Sequence, residues 1–181
     1  MTSSRVQILD ACVIINLLAG GEIEGVLGAA ARQSLICSAV ERESIYLRTD
    51  DPHAPLELIR LNPLIDSGLL TICHVEGDEE AQLYVDYASR LDDGEAMSVA
   101  IALSRGYILA TDERKARRLF VEAVGDQHRL TSTPELMRRW AEAERIPAPR
   151  LKESLLRIEA RARYQPPTSD ANYQWWFKAS R

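Results

Sequence analysis

Short apolar runs that alternate with helix-forming segments constrain the fold of this chain more than any other feature. The run Val6–Leu9 is followed directly by Asp10, and the run at residues 107–110 is followed by Thr111 and Asp112. Runs of this length suit strands that are buried on both faces, which are typical of parallel sheets. The alternation therefore predicts an α/β fold, an α/β/α sandwich whose central, mostly parallel sheet is flanked by helices.

The predicted elements cover most of the chain. We predict strands at residues 6–9, 35–37, 69–75, 107–110 and 128–130, and helices at residues 22–32, 38–47, 56–65, 78–90 and 93–105, with two more beginning at Glu113 and Thr133. After Pro147, apolar residues recur at helical spacing and an aromatic tail follows. We expect a domain at residues 1–147 and an appended C-terminal helix and tail at residues 148–181.

The net charge of −5 is distributed unevenly along the chain. Residues 1–113 carry a net charge of −12, residues 114–163 carry +6, and residues 164–181 carry +1. An acidic half that holds divalent cations and a basic half that holds phosphates is what a metal-dependent nuclease needs. Ordinary solvated helix faces explain the same pattern equally well, so both interpretations stay open.

Cysteine usage and hydropathy bear on the compartment. The three cysteines, Cys12, Cys37 and Cys73, lack the short paired spacings of zinc sites and disulfide frameworks. No apolar run approaches the roughly 18 residues that a membrane span requires, and no hydrophobic signal core follows Arg5. We expect a cytoplasmic protein with reduced thiols and no membrane contact.

Two aspartates stand where strands are predicted to end. Asp10 and Asp112 would both emerge at the carboxyl edge of a parallel sheet, the edge at which open α/β sheets bind ligands. Buried acids that cluster there repel one another, and a bound cation removes that repulsion. For either residue alone, capping of the following turn or helix is an equally good explanation.

Two glutamates are predicted to lie near these aspartates. Glu95 is four residues before Val99 at the start of a helix with an apolar stripe, so its carboxylate leans toward the core-facing side. Glu43 is three residues after Val40 on a predicted helix. Stabilisation of the helix dipole by Glu95 and plain surface exposure of Glu43 are the alternatives, and Glu41 competes with Glu43 for the same role.

A set of carboxylates without histidine or cysteine partners favours hard cations. Mg²⁺ and Mn²⁺ prefer carboxylate oxygens and retain water, whereas zinc prefers nitrogen and sulfur. The three histidines show no zinc-like spacing. Such an ion would activate a water for attack on a phosphodiester.

The strings ILDACVIINLL, SAVERE, LDDGEAMSVAIALSRG and ILATDERKARRL resemble the PIN-domain family of ribonucleases, which includes toxins of type II toxin–antitoxin systems. The resemblance spans about residues 6–145 and matches the family's four acids with Asp10, Glu43, Glu95 and Asp112. Asn16, Thr111 and Cys12 match lesser family positions. The chain is longer than typical toxins of the group, and Asp93 or Glu113 could share the metal site.

The resemblance implies an α/β/α sandwich, Mg²⁺ or Mn²⁺ dependence and endonucleolytic cleavage of RNA by the four acids acting as metal ligands. It also implies a homodimer, with an antitoxin protein as a candidate partner. Asn16 and Thr111 are then candidate substrate-binding residues.

The basic helix and the tail are candidate contact surfaces. Arg114 and Arg117 are candidate phosphate contacts beside Lys115 and Arg118, although a solvated face accounts for some of these cations. The aromatic tail could stack bases, dock on its own domain or bind a partner, and we favour docking within a dimer. A catalytically silent RNA- or protein-binding module of the same fold is the main alternative function, and a phosphatase or small-molecule hydrolase is a weaker one.

Overall fold

The computed structural model describes residues 6–30, 32–43, 45–49, 51, 53–125 and 127–181. Its strands are β1 Val6–Leu9, β2 Gln33–Cys37, β3 Ile45–Leu47, β4 Glu57–Ile59, β5 Thr71–Cys73, β6 Ile108–Ala110 and β7 Leu130–Thr131. Its α-helices are α1 Ala11–Gly20, α2 Ile23–Ala29, α3 Ser38–Arg42, α4 Asn62–Asp66, α5 Gly77–Ala88, α6 Asp93–Arg105, α7 Arg114–Val124, α8 Thr133–Ala143, α9 Ala148–Arg157 and α10 Tyr173–Ala179. A π-helical turn, Ile158–Ala162, continues α9.

These elements form two compact units. The first unit comprises the described residues of Met1–Val13, Ala31–Glu43 and Leu61–Ser132, and the second comprises those of Ile14–Ala30, Ser44–Arg60 and Thr133–Arg181. The predicted boundary at residue 147 separates a nuclease domain from a C-terminal appendage rather than two compact units. This boundary stays a prediction.

The first unit is built on a five-stranded sheet in the order β5-β2-β1-β6-β7, in which every pair of neighbours is parallel. Strand β1 is central because its apolar side chains are buried on both faces, with Ile8 and Leu9 fully inaccessible. The chain leaves β1 toward β2 on one side, and β6 pairs with β1 on the other. The carboxyl ends of β1 and β6 therefore meet at a topological switch point.

Helix α6 is the principal buried helix of this unit. Ala96, Val99 and Ala100 are fully buried and recur at helical spacing. The helix ends where Gly106 takes a left-handed conformation with φ of 70°, which a residue without a Cβ adopts without strain. This packing fixes the start of α6 beside the sheet.

The second unit contains an antiparallel pair of strands and most of the C-terminal helices. Strands β3 and β4 pair with Tyr46 opposite Leu58. Helices α2 and α8 approach closely at Gly25, where a Cβ would lie 2.8 Å from Trp140 Nε1. Ser154 on α9 is buried and donates a hydrogen bond to the carbonyl of Gly20 at 3.1 Å.

The predicted α/β fold with a mostly parallel central sheet flanked by helices is confirmed. Two local predictions are wrong. The helix predicted at 38–47 ends at Arg42, because residues 45–47 alternate buried, exposed, buried, which is the period of a strand. The helix predicted at 56–65 is instead β4 followed by α4, which has Pro63 in its first turn.

Within the described residues, no single helix has the length and apolar character of a membrane span. Helices α1 and α2 reach those criteria only as a pair bent by 117°.

Candidate functional site

Asp10 and Thr111 emerge side by side at the carboxyl edge of the sheet. Parallel pairing sets Leu9 opposite Ala110, and the backbone N–H of Asp10 donates to the Ala110 carbonyl at 3.0 Å. The Thr111 hydroxyl then donates to Asp10 Oδ2 at 2.8 Å, and the Ala11 N–H donates to Asp10 Oδ1 at 2.8 Å. Asp10 is 2% exposed, so these bonds fix a carboxylate that water barely reaches.

The Cys12 thiol links the two strand ends. Its Sγ donates to Asp10 Oδ2 at 3.3 Å and accepts the backbone N–H of Asp112 at 3.4 Å. Burial raises the pKa of this thiol strongly, and the carboxylates of Asp10 and Asp112 raise it further. Cys12 therefore stays protonated and acts as a hydrogen-bond donor within the acidic group.

The start of α6 brings further acids to the same edge. Asp92 has extended backbone as the residue that precedes α6, and its carbonyl accepts the N–H of Ala96 at 2.8 Å. Asp93 and Glu95 follow in the first turn, where the helix dipole favours negative charge. Asp92 and Asp93 are exposed, and Glu95 is half-buried.

A glycine allows Glu43 to approach this helix start. Glu43 follows α3 with extended backbone, φ of −67° and ψ of 138°. A Cβ on the buried Gly94 would overlap Glu43 Oε1 and would lie 3.1 Å from Val40 Cγ2. The absence of a side chain at Gly94 is thus what lets the Glu43 carboxylate lie against α6.

The pKa values of these acids show that their charges interact. Burial raises the pKa of Glu95 to about 7, and the charges of Asp10 and Glu113 contribute to the rise. Burial likewise raises the pKa of Glu43, with added repulsion from Asp10 and Asp92. The structure therefore brings Asp10, Glu43 and Glu95 within electrostatic reach of one another.

Asp10 itself is subject to opposing effects. Burial raises its pKa most, the hydrogen bonds from Thr111, Cys12 and Ala11 lower it, and the nearby charge of Asp92 raises it. The net direction is upward. Negative charge at this edge is consequently stabilised only in part by the protein's own donors.

A hard cation places requirements on the side chains that would hold it. Among the described residues, no three His, Cys, Asp or Glu side chains lie in an arrangement that could hold a metal ion. The carboxylate oxygens nevertheless match the preferences of Mg²⁺ and Mn²⁺, and Mg²⁺ keeps several waters and needs only one or two direct carboxylates. The raised pKa values indicate uncompensated acidity that a cation would relieve.

The remaining residues with predicted site roles lie in different surroundings. Asp112 is half-buried directly after Thr111, and the N–H of Glu113 donates to Thr111 Oγ1 at 3.1 Å. Arg117 donates to the carbonyls of Thr111 at 2.8 Å and Thr131 at 3.1 Å, so in this structure it connects the ends of β6 and β7. Thr111 is fully buried and positions Asp10.

Arg114 and Asn16 are the other two residues predicted to contact substrate. Arg114 is exposed at the start of α7. Asn16 belongs to the second unit, is 3% exposed, and donates to Thr133 Oγ1 at 3.2 Å. Their roles toward RNA stay predictions.

Asp92 is an acid of this site that was not among the predicted site residues. The charge of Asp92 raises the pKa of Asp10, Glu43 and Glu95, whereas the charge of Asp93 raises the pKa of Glu43 alone among these three acids. The available signal was the position of Asp92 just before the G-E helix start, where an acidic residue is favoured by the helix N-terminus.

Comparisons of the chain with protein-family models, with curated proteins and with solved structures give no match.

Proposed function

We propose that this chain is a metal-dependent endoribonuclease that uses Mg²⁺ or Mn²⁺ to hydrolyse phosphodiester bonds in RNA. The observation that carries the proposal is the electrostatic coupling of Asp10 with Glu43 and Glu95 at the carboxyl end of the central strand. Phosphodiester hydrolysis needs a cation that neutralises negative charge on the phosphate oxygens. Carboxylates whose charges interact and whose pKa values are raised are suited to bind that cation.

The proposed roles follow from the contacts of each residue. Asp10 is the central ligand, because Thr111, Cys12 and the Ala11 N–H restrict its orientation before any ion binds. Glu95, whose pKa is raised to about 7, is about half protonated at neutral pH and would lose that proton if a cation bound. When bound, the cation supplies Lewis acidity that lowers the pKa of water and neutralises charge on the leaving oxygen.

Asp112 and Glu43 complete the proposed acidic set. Asp112 is joined to Asp10 through the Cys12 thiol, and Glu43 is held against the start of α6 by the absence of a side chain at Gly94. Arg114 is exposed on α7, next to this edge in sequence, and is proposed to contact RNA phosphate.

The partners belong to the same proposal. An antitoxin protein, a second copy of the chain and a cytoplasmic location are proposed from the family resemblance and from the sequence. The cysteines Cys12, Cys37 and Cys73 are all free, which suits a reducing compartment.

Substitution of the two strand-end aspartates tests the proposal. Asp10→Asn and Asp112→Asn are each expected to abolish cleavage of a labelled RNA in Mn²⁺, because each removes a charged ligand while keeping the side-chain shape. Asp66→Asn at the exposed end of α4 is the matched control and should cleave like the unaltered chain. Thermal melts establish that each variant is folded.

Two results decide against the proposal. A folded Asp10→Asn variant that cleaves RNA at the original rate would show that the acidic edge is not the active site. Absence of Mn²⁺ binding in calorimetry on the unaltered chain, together with absence of cleavage, would favour a catalytically silent RNA- or protein-binding module.

A further inference from the structure

The aromatic tail has an inner side that is fixed by packing. Trp176 is 2% exposed and meets Tyr164 edge to face, with ring centroids 5.9 Å apart and an interplanar angle of 82°. Its Nε1 donates to Glu159 Oε1 at 3.0 Å. Helix α10 is therefore held against its own unit by a buried aromatic side chain with a satisfied polar group.

The outer side of α10 carries a row of planar groups. Tyr173 and Phe177 are four residues apart in α10 and lie on one face of the helix, and Arg181 follows two residues after the helix ends. Tyr173 and Phe177 are stacked, with centroids 6.2 Å apart and an interplanar angle of 20°, and the Arg181 guanidinium lies 5.3 Å from the Phe177 centroid. We call these three residues the aromatic row.

The aromatic row is accessible to a ligand. Phe177 is 47% exposed, whereas its neighbour Trp176 is buried. The Arg181 side chain is 49% exposed even though it forms an ion pair with Glu159 at 3.4 Å. Tyr173 is half-buried, and Phe177 and Arg181 are open to solvent, so further planar groups can stack on this surface.

The segment that carries the row has more basic than acidic residues, although Arg150, Arg161 and Arg181 form ion pairs with Glu22, Glu57 and Glu159. Residues 148–181 contain seven Lys or Arg residues and three Asp or Glu residues. Lys178 is exposed beside Phe177, and Lys152 Nζ donates to the carbonyl of Arg181. This charge complements a phosphate backbone, and it sets the row apart from an apolar patch that would favour a second protein surface.

We propose that the aromatic row is a binding site for single-stranded RNA, with bases stacked along Tyr173 and Phe177 and phosphates neutralised by the neighbouring cations. Single strands present unstacked bases that can add to an aromatic and guanidinium row, whereas duplex bases are already stacked. The choice of RNA as the nucleic acid rests on the proposed ribonuclease function.

Binding of a labelled oligouridylate of about ten nucleotides, a length within the range of single-strand sites, tests the proposal. Fluorescence anisotropy is measured on the full chain in EDTA, so that metal-dependent cleavage does not contribute. Phe177→Ala is expected to weaken binding about tenfold, as loss of one base stack does. Phe177→Leu is expected to weaken binding by a similar factor, because leucine lacks the ring although it keeps the apolar volume. Phe177→Trp, which keeps an aromatic ring, is expected to bind as tightly as the unaltered chain.

Control measurements separate stacking from other effects. Val85→Ala changes another exposed apolar side chain, one that is 60% exposed on α5, and should leave binding unchanged. Lys178→Gln should reduce the slope of log affinity against log salt by about 0.7, the value for one phosphate contact on a single strand. A duplex of the same length should compete poorly.

Three results would overturn the proposal: Phe177→Leu binding as tightly as the unaltered chain, duplex RNA competing as well as the single strand, or loss of self-association in Phe177→Ala without a change in RNA affinity. The two proposals fail separately. If Asp10→Asn abolishes cleavage while Phe177→Leu binds normally, the catalytic proposal stands and the aromatic row is not the RNA site.

Discussion

Replacement of Glu95 by Gln is expected to stabilise the metal-free protein above neutral pH. The folded chain raises the pKa of Glu95 from 4.5 to about 7, mainly by burial and then by the charges of Asp10 and Glu113. A carboxyl group with a raised pKa stays protonated in the folded state while it ionises in the unfolded state. The free energy of unfolding therefore falls as pH rises from about 4.5 to about 7, and the full destabilisation by Glu95 is reached above that range.

The size of the effect follows from the same shift. A rise from 4.5 to about 7 corresponds to about 3 kcal/mol, at about 1.4 kcal/mol per pH unit. Because Glu95 is only half-buried, solvent screening reduces the expected gain to about 1 to 2 kcal/mol. Loss of the favourable interaction with the helix dipole subtracts a few tenths of a kcal/mol, so about 1 kcal/mol remains.

Urea unfolding in EDTA at pH 5 and pH 8 measures this gain. The matched control is Glu79→Gln, because Glu79 occupies the same position, third in its helix, on α5 and is exposed. We expect Glu95→Gln to be more stable than the unaltered chain at pH 8 and similar at low pH, whereas Glu79→Gln should lose a little stability at pH 8. Equal stability of Glu95→Gln and the unaltered chain at pH 8 would refute the argument that Glu95 is destabilising in the absence of a cation.

Two further substitutions test the supports of the acidic site. Thr111→Val should lower the free energy of unfolding by about 1 to 3 kcal/mol, because it leaves the buried Asp10 carboxylate without its shortest side-chain donor. Thr111→Ser keeps a hydroxyl and should retain most of the stability in the same urea experiment. Gly94→Ala should reduce RNA cleavage severalfold with a small loss of stability, because the new Cβ displaces the flexible end of Glu43 and lies 3.1 Å from Val40 Cγ2, a close contact that a slight shift relieves. A crystal structure in which Glu43 is not displaced, or an assay in which cleavage is unaffected, would contradict this expectation.

The sheet was predictable because its central strands are short and mainly apolar, with Gln7 as the one polar residue in β1. Strands β1 and β6 are buried on both faces, and burial of that kind is visible in composition alone. The β3–β4 pair was missed because each strand has only three residues, too few for a period-two pattern to stand out against surrounding helix-forming residues. Its existence depends on pairing between Tyr46 and Leu58, which is a tertiary property.

In the candidate site, too, local sequence patterns located some residues, and others depended on contacts between distant elements. Asp10 could be located from its strand because a strand end fixes the position of the next residue. The approach of Glu43 to α6 depends on the missing Cβ of Gly94, and the influence of Asp92 depends on where the helix start lies relative to β1. Contacts between elements that are distant in sequence have no periodic signature, so these two features required the structure.

If the proposed ribonuclease function holds, the acids at the carboxyl ends of β1 and β6 imply that RNA affinity comes from elsewhere in the chain. Burial, with added repulsion from Asp10 and Glu113, raises the pKa of Glu95 to about 7, and the same cluster of acids would also repel the phosphates of an RNA. A site that depends on a cation to cancel this repulsion contributes little binding of its own before the cation arrives. On that proposal, basic and stacking surfaces supply the attraction for RNA. The chain concentrates its positive charge after residue 113, and α10 carries the stacked pair of the half-buried Tyr173 and the exposed Phe177.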